Sequence, residues 1–192
     1  MVNDAAPAVE HIGPRIRLHR ERLQMSVRSL AKACGFSASF ISQVEREQAS
    51  PSIASMEKIA TALGMSLSGF FATETIEQGM PIVVRVQHRR ELASGWSQAT
   101  LQMLGPTDQG NSLESIMITL APRGRSGSRQ SGHVGEEFAI VFSGEVSITL
   151  GDESYCLHRG DTISYSAETP HQWENVSGEP TEIVLVSSRT PR

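Results

Sequence analysis

The chain has only two cysteines in 192 residues, and they do not form a Cys-x-x-Cys pair. This scarcity excludes a scaffold held by disulfides and a zinc finger, because both need several cysteines at short spacing. We expect Cys34 and Cys156 to be small buried apolar groups rather than redox sensors.

Long apolar runs are also missing. No stretch approaches the roughly 18 residues that a membrane-spanning helix needs. The first ten residues lack both the basic start and the apolar core of a secretion signal, so we expect them to form a loose tail. A hydrophobic content of 39% and a charged content of 20% are ordinary for a soluble globular protein. Together these absences predict a cytoplasmic protein that does not enter membranes.

Positive charge is scarce in the second half of the chain. Residues 73–192 contain nine basic and fifteen acidic side chains, whereas residues 11–72 contain eight basic and four acidic ones. The first part is therefore the one suited to face a polyanion such as the phosphate backbone of DNA. Its excess of positive charge is small, so binding should depend on dimerisation.

Residues 26–46 have the pattern of two short helices joined by a glycine turn. Ser26 and Ser37 each precede an apolar-periodic segment, where a hydroxyl can cap a helix, and Gly35 lies between the helices. The outer face of the second helix combines small residues, which let a helix enter the major groove, with Gln and Arg, which pair with base edges. The predicted DNA contacts are Arg28, Ser37, Ala38, Ser39, Ser42, Gln43 and Arg46.

Apolar stripes predict further helices on both sides of this pair. One opens near Pro14, and another is capped by Ser52. The first carries Ile12, Ile16 and Leu23, the second carries Ile53, Met56, Ile59, Ala60 and Leu63, and Leu67, Phe70 and Phe71 predict a short closing helix. The sequence therefore predicts five helices between residues 11 and 72.

Three motifs in this region resemble the Xre-type phage-repressor DNA-binding domain. They are Leu-Ala-x-x-x-Gly-Phe-Ser from Leu30, Ile-Ser-x-x-Glu-Arg from Ile41, and Pro-Ser-Ile-x5-Ile-Ala-x-Ala-Leu from Pro51, and the resemblance spans residues 11–72 without a gap. It implies that Arg20 pairs with Glu45, which would make Glu45 structural. The alternative is a helical bundle whose serines and arginines are merely solvated.

After about residue 72 the pattern changes to short strands separated by Gly, Pro, Asn and Asp. Many short strands in about 115 residues indicate a β-sandwich or barrel. Residues 73–81 are the predicted linker, and residues 126–131 are a predicted loop. The predicted strands cover residues 82–86, 100–104, 115–120, 138–142, 146–150, 162–165 and 183–186.

Two blocks in this half resemble the paired motifs of the cupin family. His133, Glu137 and Gly144 match the first block, and Gly160, His171 and Asn175 match the second. Ser131 replaces the first histidine ligand, and Ser166 and Glu168 replace the proline and glycine of the second block. The resemblance implies an all-β double-stranded β-helix, or jelly-roll, barrel over residues 82–190, after the helix-turn-helix domain of residues 11–72.

His133, Glu137 and His171 form the candidate site of this barrel. Two imidazoles and one carboxylate on adjacent strands can converge as a facial triad around a divalent metal such as Fe, Mn, Ni or Zn. Metal binding should then weaken below roughly pH 6, as the histidines protonate. The alternative is that the same three side chains are the polar lining of an effector pocket.

Other side chains are candidates for effector contact. Arg123 and Arg125, with Arg129, precede His133 and would bind an anionic group if they point inward. Trp96 and Trp173 are expected to be core or rim aromatics, and the alternative for Trp173, two residues after His171, is that it lines the pocket mouth. For the arginines, His158 and the run His88-Arg89-Arg90, the alternative is a solvated surface position.

The order of the two halves is similar to that of cupin-containing Xre regulators. This resemblance implies a homodimer that binds a palindromic double-stranded DNA operator and responds to a small-molecule effector, with the barrel as sensor and dimer interface. The alternative is an enzyme. Residues 131–138 are similar to the site of iron-dependent cupin enzymes of the 2-hydroxypropylphosphonic acid epoxidase kind, but an enzyme has no evident need for a DNA-competent helix-turn-helix.

Overall fold

The structure is a computed structural model that describes residues 12–67, 69, 83–94, 98–105 and 113–188. Within these residues, α-helices form the first part of the chain and β-strands the second. The predicted combination of an all-α helix-turn-helix domain and an all-β barrel domain is confirmed. None of the described helices is long and apolar enough to cross a membrane.

A serine immediately precedes each of the last three described helices of the helical domain. Ser26, Ser37 and Ser52 accept a hydrogen bond from the backbone N–H three residues later, at 3.0, 3.1 and 3.2 Å. The predicted caps are therefore confirmed. The helices in the described part are α1 (Ile12–Arg22), α2 (Val27–Cys34), α3 (Ala38–Glu45) and α4 (Ile53–Ala62).

The predicted fifth helix and the linker fall largely outside the described residues. Leu67 is buried, whereas Phe70 and Phe71 are not described. Leu23 lies one residue beyond α1 and its side chain is 52% exposed, so its assignment to the apolar stripe was wrong. The stripe ends at Ile16, which is fully buried.

The turn between α2 and α3 depends on a glycine. Gly35 has φ 73°, in the left-handed region that L-residues avoid, and its N–H donates to the Ala31 carbonyl. The chain can therefore reverse within a few residues, which packs α3 across α2 over one core. Side chains from all four described helices meet there, fully or almost fully buried: Ile16, Leu30, Ile41, Met56 and Ile59.

A charged pair joins α1 to the end of α3. The Arg20 Nε and Nη2 atoms donate to the two carboxylate oxygens of Glu45 at 2.6 and 2.9 Å, and Nη1 donates to the Met25 carbonyl at 2.9 Å. The side chains are only 10% and 6% exposed. The pair implied by the family resemblance is confirmed, and it fixes the C-terminal end of α3 against α1.

Nine described strands form two antiparallel sheets with the orders β1-β2-β3-β9-β4-β7 and β6-β5-β8. Their inward side chains enclose the barrel core, which includes Leu101, Ile118, Leu120, Ile148 and Trp173. The strands are β1 (Glu91–Ser94), β2 (Ala99–Met103), β3 (Leu113–Leu120), β4 (Glu136–Ser143), β5 (Glu145–Leu150), β6 (Glu153–His158), β7 (Thr162–Ser166), β8 (His171–Asn175) and β9 (Thr181–Ser188).

Some strand predictions were wrong. In the predicted strand over 82–86, residues 83–85 are irregular and Val86–His88 forms a 3-10 turn, with no strand pairing to this segment among the described residues. Strands β1, β6 and β8 were missed. Cys34 is buried as expected, but Cys156 is exposed on the edge strand β6, where its Sγ donates to the Glu145 carboxylate at 3.1 Å.

Helix α4 touches the loop between β3 and β4. The Ala54 N–H donates to the Ser126 carbonyl at 3.2 Å. At the next position, Gly127, an added Cβ would lie only 2.9 Å from the Ala54 Cβ. The lack of a side chain at Gly127 therefore allows the first turn of α4 to approach the barrel closely.

We expect Arg20→Ala to destabilise the helical domain by about 3 kcal/mol, because it leaves the buried Glu45 carboxylate without a charge partner. Urea unfolding followed by circular dichroism would measure this. Arg17→Ala is the matched control, since the Arg17–Glu21 pair is exposed and its loss should have little effect. Equal losses in both variants would contradict a structural role for the Arg20–Glu45 pair.

Candidate nucleic-acid interface and barrel pocket

Helix α3 has one buried and one exposed face. Ile41 and Val44 are buried against the helical core. Ser39, Gln43 and Arg46 are exposed, whereas Ala38 and Ser42 are half-buried. Arg28 is exposed on the neighbouring helix α2. The structure thus leaves accessible the polar face that the sequence predicts for base contact.

Two of the predicted DNA contacts already have intramolecular roles. The Ser37 hydroxyl caps α3, and the Arg46 Nε donates to the Ser42 carbonyl at 3.2 Å. Ser37 therefore positions the helix, while Arg46 keeps its Nη groups available. Among the residues of this face, Gln43 and Arg46 have the longest side chains with hydrogen-bonding ends.

In the barrel, the predicted triad lies together. Nε2 of His133 is 3.1 Å from Glu137 Oε1, and Nε2 of His171 is 3.5 Å from Glu137 Oε2. His133 precedes β4, Glu137 lies on β4, and His171 begins β8 in the other sheet. The ligand atoms of all three residues lie within 4.8 Å of one another, which fits the donor set of a divalent metal.

The Glu137 carboxylate is held by two further donors. The Tyr165 hydroxyl donates to Oε2, and the Ser187 hydroxyl donates to Oε1 at 3.2 Å. Both residues are the register partners of Glu137, Tyr165 on β7 and Ser187 on β9. Sequence reasoning missed them, because only strand register brings them together. The inward alternation of β7 was the one signal that could have pointed to Tyr165.

These contacts shift the acidity of the site. Burial lowers the pKa of His133, but the hydrogen bond to Glu137 and the charges of Glu57 and Glu137 outweigh it and raise the pKa to about 9. For Glu137, burial raises the pKa, yet the hydrogen bonds from His133 and Tyr165 hold it below its usual value. The ligand-free site is therefore a protonated imidazole beside a carboxylate.

His171 has a fixed tautomer. Its Nδ1 lies 2.9 Å from the Thr169 carbonyl oxygen, which can only accept, so Nδ1 carries the proton. In the neutral ring the Nε2 lone pair then faces the Glu137 carboxylate. The lone pairs of His171 Nε2 and Glu137 Oε2, which are 3.5 Å apart, favour a cation between them. Histidines that bind a metal commonly donate their other ring N–H to a backbone carbonyl in this way.

Glu137 and His171 line a small cavity of about 10 Å³, which has room for roughly one water, and His133 lies beside it through its contact with Glu137. Trp173, 98% buried, also lines it, and its indole N–H has no acceptor among the described residues. Ser131, where the family has a histidine, is buried and is paired through its backbone with His171. The other lining residues are Ile53, Ala54, Glu57, Ile118, Ser126 and Leu185.

The predicted arginines are not brought into this cavity. Arg123, Arg125 and Arg129 are exposed, and Arg125 Nη2 donates to Glu174 at 2.7 Å. Their loop packs its serine and glycine residues, not its arginines, toward the barrel. His88 and His158 are likewise exposed, and Trp96 lies outside the described residues.

Glu57 is a site residue that sequence reasoning missed. It belongs to α4 of the helical domain, yet it lines the barrel cavity beside Glu137 and His171. Burial raises the pKa of Glu57 to about 7, while the charge of His133 opposes the shift and that of Glu137 adds to it. Nothing in the sequence marks this position, because it depends on how the two domains pack.

Two protein families match the chain. The helix-turn-helix family covers residues 16–70, and the cupin domain family covers residues 116–187. Over 93% of its length the chain is 27% identical to the HTH-type transcriptional regulator PuuR of Escherichia coli, of which the match spans 94%. The match therefore spans both of the domains that the family models cover in this chain.

Solved structures show the same fold. A helix-turn-helix family transcriptional regulator from Vibrio cholerae superposes with a TM-score of 0.72 at 22% identity, over 95% of this chain and 96% of that one. Hydroxypropylphosphonic acid epoxidase from S. wedmorenis superposes with a TM-score of 0.51 at 20% identity, over 95% and 100%. At such identities the likeness concerns the fold alone.

The raised pKa of His133 predicts a pH-dependent stability. A histidine with an ordinary pKa of 6.5 and a folded pKa of about 9 stabilises the folded state fully below pH 6.5, and this contribution is lost as the pH rises to about 9. With EDTA present, the wild type should lose more unfolding free energy between pH 6.5 and 9 than His133→Gln. Urea unfolding would measure it, and parallel pH curves would contradict the protonated imidazole.

Proposed function

We propose that the chain is an Xre-type helix-turn-helix transcriptional regulator with a C-terminal cupin domain, not an enzyme, and that it reads its operator with α3 and senses an effector in the barrel. The exposed polar face of α3 is the observation that carries this proposal. We propose that the protein acts in the cytoplasm, where the operator DNA is.

The DNA contacts follow from the shape and chemistry of α3. Ala38, Ser39 and Ser42 are small enough for the helix to enter the major groove. Gln43 can donate to and accept from an adenine edge, and the exposed guanidinium of Arg46 can pair with guanine. Arg28 on α2 is placed to contact phosphate, which contributes affinity but no sequence information.

The effector site is the cavity around His133, Glu137 and His171. A divalent metal is the occupant favoured by the donor set and by the His171 tautomer, and Fe, Mn, Ni and Zn all accept two imidazoles and a carboxylate. His133 must lose its proton before it can bind a metal. The pH below which metal binding weakens is therefore expected nearer 9 than the value of roughly 6 expected from unperturbed histidines.

Dimerisation would occur through the outer face of the larger sheet. On β4, Glu137, Ala139 and Val141 point inward, so Phe138 and Phe142 point outward, where they are 42% and 57% exposed. The half-buried Val184 and Val186 on β9 lie opposite Ile140 and Phe138 and extend this apolar surface. A second copy of the chain covering it would place two α3 helices on a palindromic operator, about 34 Å apart.

We expect Gln43→Ala and Arg46→Ala each to weaken operator binding by about 1–3 kcal/mol, because each removes a base-edge contact. The operator would first be selected from random duplexes with the wild-type protein, and affinity measured by fluorescence anisotropy at fixed salt. Arg159→Ala is the control, since Arg159 is exposed on the barrel. Full operator affinity in both α3 variants would contradict the proposed function.

Phe142→Lys should convert the dimer into a monomer and lower operator affinity about a hundredfold, since the second half-site is then bound independently. Sedimentation equilibrium would give the mass. Val176→Lys, at a residue 50% exposed in the turn after β8, should leave the dimer intact. A dimer that survives Phe142→Lys would place the interface elsewhere.

Purified protein should contain close to one equivalent of a divalent metal, and His171→Ala should lose it. Elemental analysis combined with native mass spectrometry would show the metal and any co-purified organic molecule. A metal content below about a tenth of an equivalent after incubation with the ions at pH 9, where His133 can lose its proton, would end the metal assignment and leave an organic effector as the occupant.

A further inference from the structure

The barrel pocket is closed by the DNA-binding domain. Ile53, Ala54 and Glu57, all on α4, form one wall, and the barrel strands and the β3–β4 loop form the others. The Ala54–Ser126 hydrogen bond and the close approach of Ala54 to Gly127 hold the first turn of α4 on this mouth. An occupant of the pocket therefore lies against both domains.

Glu57 is the only charged residue that α4 places in this wall. Its carboxylate has no hydrogen-bond donor or ion-pair partner among the described residues, although it is half-buried. A carboxylate removed from water without a donor is costly, and the cations that act on Glu57, His133 and the exposed Lys58, make no ion pair with it, so the position is suited to a positive partner at closer range.

The size and charge of the cavity narrow the choice of partner. At about 10 Å³ the cavity as it stands has room for one water or one ion, so an organic effector would first have to widen it. With both histidines neutral, Glu57 and Glu137 give the site two negative charges. A divalent cation balances this charge and is the class of ion that two imidazoles and two carboxylates bind.

We infer that Glu57 belongs to the barrel site, so that a divalent cation held by His133, Glu137 and His171 also attracts the carboxylate of Glu57, which lines the same cavity but lies outside their group of donor atoms within 4.8 Å of one another. The inference rests on the proposed metal occupancy of the same site. Its consequence is mechanical. A bound cation joins α4 to the barrel. Because α3 and α4 share one core, the cation also fixes the position of α3 relative to the barrel.

The first test measures affinity with Mn²⁺ alone as the probe, titrated into EDTA-stripped full-length protein and followed by the EPR signal of the free ion. The variants carry a Cys156→Ser background, because Glu145, Cys156 and His158 form a second, exposed group of donor atoms within 4.8 Å of one another. Glu57→Gln, which keeps the side-chain shape, should weaken Mn²⁺ binding at least about tenfold. Lys58→Gln, at the exposed neighbouring residue, should leave it unchanged within about twofold.

Glu57→Asp provides a second variant should Glu57→Gln fold poorly. Its shorter carboxylate should give an intermediate affinity, which a purely structural role would not predict. Circular dichroism would verify that each variant is folded.

The second test reads the contact between domains. Cysteines introduced by Ala54→Cys and Gly127→Cys lie within disulfide range after a small backbone shift, and Mn²⁺ has little affinity for thiols. With a fixed concentration of oxidised glutathione as the oxidant, which is reduced to two thiols as the disulfide forms, Mn²⁺ should accelerate formation of this disulfide several-fold in the Cys156→Ser background. The same addition should have no effect when Glu57→Gln is also present.

The outcomes separate this inference from the proposed function. Unchanged Mn²⁺ affinity in Glu57→Gln, or no Mn²⁺ binding by the wild type, overturns the inference, while operator binding measured on the same preparations still tests the regulator. Loss of affinity in Glu57→Gln, together with an accelerated disulfide, supports the inference even for a protein with no measurable operator binding.

Discussion

The Glu137 carboxylate is 1% exposed, and its removal from water governs the barrel site. A buried charge persists only when donors surround it, and here strand register provides them from β7 and β9 while His133 provides a proton. The same requirement explains why the imidazole beside it is unusually basic. A metal replacing that proton would meet the same need, so the protonated and metal-bound states are two solutions to one electrostatic problem.

How far the sequence predicts this structure depends on the distance over which each signal acts. Ser26 and Ser37 cap their helices and Gly35 makes its turn through contacts a few residues away, so local pattern was enough. The partners of Glu137 come from strands up to 50 residues away. Strand β8 was missed because its inward residues are His171, Trp173 and Asn175, a pattern without the aliphatic alternation that marks a strand. Glu57 was out of reach altogether, because its role depends on the packing of one domain on the other.

The two domains differ in how firmly their parts are joined. Within the helical domain, the bidentate Arg20–Glu45 pair and a shared core hold α3 against α1. Between the domains, the described contacts are fewer and cluster around the first turn of α4 and the β3–β4 loop. Movement of one domain relative to the other therefore costs less free energy than rearrangement within the helical domain. We expect α3 to move together with the rest of its domain as one body.

Gly127 has a consequence for the genetics of such a regulator. An alanine there would place its methyl carbon 2.9 Å from that of Ala54, too close for either to stay in place. This one methyl group would push the β3–β4 loop of the barrel away from α4, while the charged side chains of the pocket would stay unchanged. If the barrel controls the DNA-binding domain as proposed, a screen for variants with altered regulation would then yield alleles in a barrel loop, in which every residue proposed to read DNA or bind the effector is wild type.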